Sequence, residues 1–298
     1  MTASIFIAMP GNEEAAGALA QAHGATTGQL ELRAFPDGES YLRFGTDLSR
    51  QMLAIVCTLD RPNDKILSLL FAAATARELG AAKVGLVAPY LAYMRQDRRF
   101  KPGEAVTSRE VAQLLSNSFD WLVTVDPHLH RYGSLGEIYR IPTSVVHAAS
   151  LMAGWIRSNV ADALIIGPDS ESEQWVSTVA KDAGAPYTVL EKIRRGDRDV
   201  EISIRNLGDV SGRTPVLVDD IISTGRTMLE TVRLLKARGV AAPVCVAVHG
   251  LFAADAYEML IKAGARVVTC NTVRHPSNAI DVHGALAEAL KTLRVPAN

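Results

Sequence analysis

The chain has 298 residues, of which 48% are hydrophobic and 21% are charged, a composition that supports a packed core and argues against wholesale disorder. Its 31 basic and 32 acidic residues give a formal net charge of −1, which excludes a general electrostatic attraction to nucleic acid or to anionic membranes. Any anion site in this protein must therefore be local.

Short apolar runs rich in β-branched residues alternate along the chain with longer segments of helical period. The predicted strands are, in chain order, Ile5–Ala8, Leu53–Thr58, Val84–Ala88, Leu122–Val125, Leu164–Gly167, Tyr187–Glu191, Pro215–Asp219, Val244–Val248 and Val267–Cys270. The predicted helices include Lys65–Leu79, Ser108–Ser116 and Arg226–Ala237. This alternation is typical of parallel sheets covered by helices, so it predicts an α/β fold.

The two halves of the chain have the same layout. Residues 51–90 and residues 213–250 each read as strand, polar turn, helix, glycine and strand. An offset of about 160 residues is that of a duplicated domain. We therefore predict one domain at residues 1–146 and a second at residues 147–298. The copies differ at the turn, where only the second has two aspartates and Ser-Thr-Gly, so we expect one copy to have kept a ligand site.

The clearest chemical signal is VLVDDIISTGRT, in which two aspartates end an apolar strand and a small polar turn leads into a helix. The carboxyl end of a parallel strand faces the crevice where open α/β sheets bind ligands. Carboxylates accept hydrogen bonds from vicinal hydroxyls, and a helix N-terminus favours phosphate. The pattern predicts a sugar-phosphate site, and the alternative is a turn whose side chains only cap the helix. The residues predicted to bind the sugar phosphate are Asp219, Asp220, Ser223, Thr224, Gly225 and Thr227.

Cysteine usage and the N-terminus indicate the compartment. The three cysteines, Cys57, Cys245 and Cys270, lack the paired spacing of a disulfide framework or a zinc site. The first residues lack a basic signal-peptide region, and no apolar stretch is long enough to span a bilayer. These features predict a cytoplasmic protein with no membrane partner.

VLVDDIISTGRT resembles the phosphoribosyl diphosphate binding motif of the type I phosphoribosyltransferase fold. The resemblance to ribose-phosphate pyrophosphokinases extends over nearly the whole chain. It implies two phosphoribosyltransferase-like domains, each a mainly parallel sheet flanked by helices. The first domain is expected to bind ATP and to form oligomer contacts, and the second to bind ribose 5-phosphate.

Two further segments resemble the family's ATP site. FPDGE resembles the segment that reaches the adenine of a neighbouring subunit, and PYLAYMRQDRRF resembles a stretch that contacts ATP. The ATP-binding residues implied are Phe35, Asp37, Glu39, Arg95, Gln96 and Asp97. On the residues alone, Phe35 can also be a core residue before a turn, and the second stretch can be a surface loop.

Three other segments resemble the metal and catalytic parts of the family. TVDPHLH and GPD imply His128 and Asp169 as Mg²⁺ ligands, with His130 as a spare candidate. EKIRR implies Lys192 and Arg194 on a mobile catalytic loop. On the residues alone, His128 can be a structural histidine and EKIRR a solvated charge cluster.

The resemblance implies transfer of the diphosphoryl group of ATP to O1 of ribose 5-phosphate, which gives 5-phospho-α-D-ribose 1-diphosphate and AMP. It also implies a homo-oligomer, at least a dimer and in the family a hexamer or tetramer, and no nucleic-acid partner. Two alternatives stay open: a phosphoribosyltransferase that uses the product as donor, and a non-catalytic regulatory paralogue. The run GPDSESE departs from the glycine pair common in the family and keeps the second alternative open.

Overall fold

The computed structural model describes residues 4–168, 172–194, 200–203 and 212–294, with the backbone alone for 191–194 and 200–203. The chain divides into two compact units, one running to Val146 and rejoined from His283 onward, the other spanning His147–Val282. Each unit contains a six-stranded sheet whose strands are all parallel, with helices packed against it. The predicted α/β fold with two duplicated domains is confirmed.

The first half of the chain contains eight strands and three α-helices among its described residues. They are β1 (Ile5–Ala8), α1 (Glu13–His23), β2 (Thr26–Gly28), β3 (Leu30–Ala34), β4 (Ser40–Phe44), β5 (Met52–Val56), α2 (Ile66–Glu78), β6 (Lys83–Ala88), α3 (Thr107–Ser118), β7 (Trp121–Val125) and β8 (Thr143–Val146). The parallel sheet has the order β2-β1-β5-β6-β7-β8, and β3 pairs with β4 in a separate antiparallel hairpin.

The second half repeats this plan. Its described elements are α4 (Ala149–Asn159), β9 (Ala163–Gly167), α5 (Glu173–Ala183), β10 (Tyr187–Val189), β11 (Glu191–Arg194), β12 (Val200–Ser203), β13 (Thr214–Ile222), α6 (Arg226–Ala237), β14 (Val244–Gly250), α7 (Ala256–Lys262), β15 (Arg266–Cys270), β16 (Asn278–Ile280) and α8 (His283–Thr292). The parallel sheet has the order β10-β9-β13-β14-β15-β16, and β11 pairs with β12 in an antiparallel pair.

Most residues of the inner strands are apolar and buried, as expected where helices cover a parallel sheet. All seven residues of β14 and all five of β7 are buried. The edge strands β2 and β10 have three residues each and are partly exposed, as is usual at the border of a sheet. This arrangement explains why the inner strands were readily predicted from apolar runs.

Helix α8 packs on the first unit, whereas the predicted second domain extends to the last residue. Its buried residues Leu286, Ala287 and Leu290 form one apolar stripe, and the helix contacts α1, β7 and β8. The chain therefore returns to its first unit after completing the second. The domain prediction needs this correction at the C-terminal helix.

The strand order of each sheet creates one point where the chain changes direction. In the second unit, the chain leaves β9 for β10 on one side and then returns to place β13 on the other side. In the first unit, β1 and β5 stand in the same relation. Ligands of open α/β sheets bind at such switch points, outside the carboxyl ends of the strands. The fold thus offers one crevice per unit, at β1/β5 and at β9/β13.

The three cysteines are core residues. Cys57, Cys245 and Cys270 are all buried and free. Burial raises the pKa of the Cys57 and Cys245 thiols to about 12, so both stay protonated and unreactive at neutral pH. Among the helices that the structure describes, none combines the length and the apolar character that crossing a bilayer requires.

Candidate active site

The aspartate pair lies on a part of β13 that extends beyond its neighbour β9. Strand β13 pairs with β9 from Thr214 to Leu217, but with β14 as far as Ile222. Past Leu217, no strand in the described part of the chain pairs with β13 on the β9 side. Asp219 and Asp220 are half-buried there, and the Asp220 amide donates to Asp219 Oδ1 at 3.0 Å. The predicted strand ended at Asp219, so the structure corrects this boundary and places both acids inside the strand.

The turn after the aspartates is held in place by the loop that follows β14. The Ile222 carbonyl accepts hydrogen bonds from the amides of Leu251 and Phe252, both at 3.0 Å, and the Ser223 carbonyl accepts one from Ala253 at 3.0 Å. These hydrogen bonds attach the start of the Ser223-Thr224-Gly225 turn to the loop after β14. Ser223 is half-buried and Thr224 is exposed.

Helix α6 begins directly after the turn, with no side-chain cap. Gly225 has φ +63°, in the left-handed region, and its carbonyl accepts the first helical hydrogen bond from Leu229 at 2.8 Å. No side chain caps the N-terminus of this described helix, so the capping alternative is not supported. Amides at an uncapped helix N-terminus suit a bound phosphate. Thr227 lies in the first turn and is half-buried.

A small recess lies between the end of β9, strand β13 and the first turns of α6. It is partly open, and its empty space, including the solvent at its mouth, is about 190 Å³. Its lining residues are Ile166, Gly167, Pro168, Leu190, Leu217, Val218, Thr227, Met228 and Thr231. The recess borders the same turn as the aspartate pair, which places a concavity at the switch point of the second unit.

The corresponding turn of the first unit is closed by its own side chains. Asn12 Oδ1 accepts a hydrogen bond from the Thr58 amide at 2.8 Å, and Lys65 Nζ donates to the Thr58 carbonyl at 3.0 Å. Lys65 also forms an ion pair with Asp60. The β1/β5 crevice is therefore bridged by a lysine and an asparagine, whereas the β9/β13 crevice presents two carboxylates.

The FPDGE segment forms the tip of the β3–β4 hairpin. The Phe35 amide donates to the Glu39 carbonyl at 2.7 Å, and the Glu39 amide to Asp37 Oδ1 at 3.2 Å. Phe35 is 39% exposed, so it is not a core residue. Its ring meets Tyr41 edge-on at 6.1 Å, and the Arg33 guanidinium lies 4.0 Å from the Tyr41 ring centre. The hairpin thus presents a supported aromatic face to its surroundings.

The RQD segment lies between strand β6 and helix α3. Arg95 is exposed and Gln96 is half-buried, and Gln96 Oε1 accepts a hydrogen bond from the Thr107 hydroxyl at 3.1 Å. Asp97 is buried and paired with Arg131. Two of the three predicted ATP-binding residues here therefore face outward at least in part, and the third faces inward.

The two histidines of TVDPHLH lie side by side just after β7. The ring centres of His128 and His130 are 3.9 Å apart, and one nitrogen of each ring lies within 4.8 Å of the other. His128 is half-buried and His130 exposed. Such a pair of imidazole nitrogens fits a divalent cation. His130, the spare candidate of this segment, thus lies beside His128.

The remaining predicted residues are described incompletely. Asp169 lies outside the described residues. Lys192 and Arg194 are placed by their backbone in β11, opposite Ile202 and Val200 of β12. The structure therefore places both residues in a paired strand rather than in a loop.

A histidine beside the aspartate pair of β13 was not predicted as a site residue from the sequence. His249 is buried in β14, opposite Ile221 of β13. Its Nδ1 lies 2.9 Å from the Thr272 hydroxyl, which itself donates to the Val248 carbonyl at 2.9 Å. The signal was available, since a histidine and a glycine end the apolar run of the strand next to the aspartate pair.

Comparison with known proteins adds to this geometry. The family model of the N-terminal domain of ribose phosphate pyrophosphokinase matches residues 4–118, and that of the phosphoribosyl transferase domain matches residues 134–284. A ribose-phosphate pyrophosphokinase from Methanopyrus kandleri is 36% identical over 279 residues, covering 92% of this chain and 94% of that protein. One from Methanosarcina acetivorans is 34% identical over 290 residues, covering 97% and 99%.

Among solved structures, the crystal structure of phosphoribosylpyrophosphate synthetase from Mycobacterium smegmatis matches this chain with a TM-score of 0.83. The two sequences are 25% identical, and the match covers 96% of this chain and 97% of that chain. The structural match therefore covers both units of this chain and is not limited to one phosphoribosyltransferase-like unit.

Proposed function

Since this chain belongs to the ribose-phosphate pyrophosphokinase family, we propose that it transfers the diphosphoryl group of ATP to O1 of ribose 5-phosphate. The products are 5-phospho-α-D-ribose 1-diphosphate and AMP. The observation that carries this function is the β9/β13 crevice, where an aspartate pair and an uncapped helix N-terminus lie at one sheet edge.

Ribose 5-phosphate is proposed to bind at this crevice in one orientation. The 5-phosphate lies at the turn, where the α6 amides and the hydroxyls of Ser223, Thr224 and Thr227 can donate to it, and Gly225 allows close approach. The ribose hydroxyls donate to Asp219 and Asp220, because ionised carboxylates only accept hydrogen bonds.

ATP is proposed to bind through residues of the first unit. Arg95 and Gln96 are expected to contact it, and Phe35 of a neighbouring subunit is expected to stack on the adenine with Asp37 and Glu39 beside it. The exposed Phe35 ring, supported by Tyr41, suits such stacking. In the transfer, O1 attacks the β-phosphorus and releases its proton to solvent, and the bond from that phosphorus to the AMP oxygen breaks.

Lys192 and Arg194 are proposed to neutralise the charge that spreads over the phosphoryl oxygens during transfer. Phosphoryl transfer depends mainly on in-line positioning and on such charge stabilisation. Mg²⁺ bound to the ATP phosphates would add to the same neutralisation. His128 and Asp169 are the residues proposed to hold the cation, and His130 is proposed as an additional ligand.

A metal-preference prediction arises from the histidine pair. Imidazole nitrogen suits Mn²⁺ better than Mg²⁺, which prefers oxygen ligands. We expect His130→Ala to weaken Mn²⁺ binding about tenfold and to change Mg²⁺ binding little. Electron paramagnetic resonance titration of Mn²⁺, with Mg²⁺ as competitor, measures both. The control is His283→Ala at the start of α8, and equal losses for the two cations would contradict the assignment of His130.

A backbone prediction arises at the turn. Gly225→Ala places a Cβ in the left-handed region, at a cost of about 1 kcal/mol, although its nearest neighbour would lie at an ordinary 3.5 Å. We expect a several-fold higher KM for ribose 5-phosphate together with a modest loss of stability. Gly239→Ala is the matched control, since it has φ +71° at the other end of α6 with open space around it. It should lose similar stability and keep its KM.

We also propose that the protein is a cytoplasmic homo-oligomer. Helix α2 exposes Leu67 and Phe71, and helix α3 of the same unit exposes Leu114. Exposed apolar side chains on adjacent helices are typical of subunit contacts. An adenine site that uses Phe35 of a second chain requires at least a dimer, and a hexamer or tetramer is the expected state.

One assay tests the proposed activity against its alternatives. Purified protein is incubated with Mg²⁺ and ATP, with and without ribose 5-phosphate, and AMP is measured. The proposed function predicts AMP formation that depends on the sugar phosphate. Turnover only with a nucleobase and the diphosphate product would indicate a phosphoribosyltransferase, and no turnover under either condition would indicate a regulatory paralogue.

A further inference from the structure

We propose that Asp97 and Arg131 form a positioning pair that fixes the RQD segment against the His128 segment, so that Asp97 acts on ATP through this pair rather than by contact. The inference rests on the proposed function, because it assigns a role within the ATP site of the first unit. It gives Asp97 a different role from the direct contact implied by the family resemblance.

The Asp97 carboxylate is buried and paired with Arg131. Only 1% of its side chain is exposed. Its Oδ1 and Oδ2 accept hydrogen bonds from Arg131 Nη1 at 3.1 and 3.0 Å. A buried carboxylate needs a charged partner to offset its loss of hydration. A carboxylate in this position has little surface left for a ligand.

Hydrogen bonds through Tyr132 reinforce the pair. The Tyr132 hydroxyl donates to the Asp97 carbonyl at 3.2 Å and lies 3.1 Å from the Ser108 hydroxyl. The Ser108 amide donates to the Gln96 carbonyl at 3.3 Å. Ser108 and Tyr132 are both buried. Three chain segments, at 96–97, 107–108 and 131–132, therefore meet in one polar cluster.

The cluster connects two groups of proposed ligands over short lengths of chain. Arg95 and Gln96 directly precede Asp97, and His128 and His130 lie three residues and one residue before Arg131. A displacement of about 1 Å between reacting groups is enough to lower phosphoryl-transfer rates strongly. A pair that joins the two segments thus sets the distance between the ATP-contacting residues and the cation-binding histidines.

Single and double substitutions of the pair should have unequal effects. Arg131→Gln leaves the Asp97 carboxylate buried and unpaired, which is the costly case, whereas Asp97→Asn leaves an arginine that is 39% exposed and can turn to water. The double variant Asp97→Asn/Arg131→Gln removes both charges and leaves two amides that can hydrogen-bond. The double variant should therefore perform better than Arg131→Gln alone.

The experiment measures ATP affinity by titration calorimetry and kcat and KM for both substrates by AMP formation. For Asp97→Asn we expect about tenfold weaker ATP binding with a KM for ribose 5-phosphate within about twofold of the wild type. For Arg131→Gln we expect a larger loss of ATP affinity, partly recovered in the double variant. The control is Asp120→Asn, which breaks an ion pair with Arg77 in the same unit and should leave ATP affinity unchanged.

Two results would overturn the positioning pair. Losses of ATP affinity that simply add in the double variant would show that each residue contacts ATP by itself. Equal changes in the constants for both substrates, or a loss of ATP affinity in Asp120→Asn, would show a general structural effect. Calorimetry needs no turnover, so failure of the wild type to form AMP would count against the proposed function and leave the pair testable.

Discussion

Replacing Asp219 and Asp220 together with asparagine will lower turnover by about 1,000-fold or more without lowering the stability of the fold. The two carboxylates are adjacent and half-buried on an open part of β13, where like charges repel each other. Asparagine has nearly the same shape, keeps one acceptor oxygen for its neighbours and removes this repulsion, so the free energy of unfolding should change little. It also replaces one acceptor oxygen of each residue with an NH₂ donor and removes both charges, so kcat/KM for ribose 5-phosphate should fall strongly.

The measurement combines steady-state kinetics with denaturant unfolding of the same variants. Asp182→Asn is the matched control, because it changes an exposed aspartate of α5 in the same unit and should leave both quantities unchanged. Retention of more than about a tenth of the activity in the double variant would contradict a direct role of the pair in binding ribose. A loss of activity that parallels a loss of stability would point to a structural role instead.

The second large effect is expected for Lys192→Ala, which should lower kcat by about 1,000-fold and change the KM for ATP little. A cation that meets charge developing only in transfer contributes to the transition state more than to the ground state. Steady-state kinetics with both substrates separate the two constants. Lys181→Ala, in the last turn of α5, is the control, and unchanged turnover in Lys192→Ala would remove Lys192 from the catalytic residues.

The fold was largely predictable because its signals are local. Apolar runs gave the inner strands, and the bounds of α6 were predicted as Arg226–Ala237, where the structure has them. The aspartate turn was identified from a short segment for the same reason. Its strand end was placed too early because β13 pairs with β14 beyond the point where β9 ends, and a pairing difference of this kind leaves no trace in the segment itself.

Features that depend on distant partners could not be predicted. The apolar stripe of α8 would look the same whichever sheet it covered, so its return to the first unit was missed. The hairpin strand β3 alternates only weakly between half-buried and exposed residues. It therefore lacks the apolar run from which the inner strands were predicted. The pairing of Asp97 with a residue 34 positions further along the chain follows from the packing of two loops.

The duplicated units show how one copy of a crevice is closed. In the first unit, Lys65 places an ammonium group on the Thr58 carbonyl and beside Asp60. In the second unit, the strand before the corresponding turn carries Asp219 and Asp220, and the turn leads directly into α6. A turn that carries its own cation and its own hydrogen bonds has little need of a bound anion, so the two units can differ in function while keeping one topology.

The most direct test of the whole account is a crystal structure of the protein with ribose 5-phosphate. We expect the 5-phosphate at the turn before α6, within hydrogen-bond distance of the Thr227 amide, and the ribose hydroxyls on Asp219 and Asp220. A sugar phosphate found at the β1/β5 crevice, or anywhere that leaves the aspartate pair without a ribose contact, would contradict it.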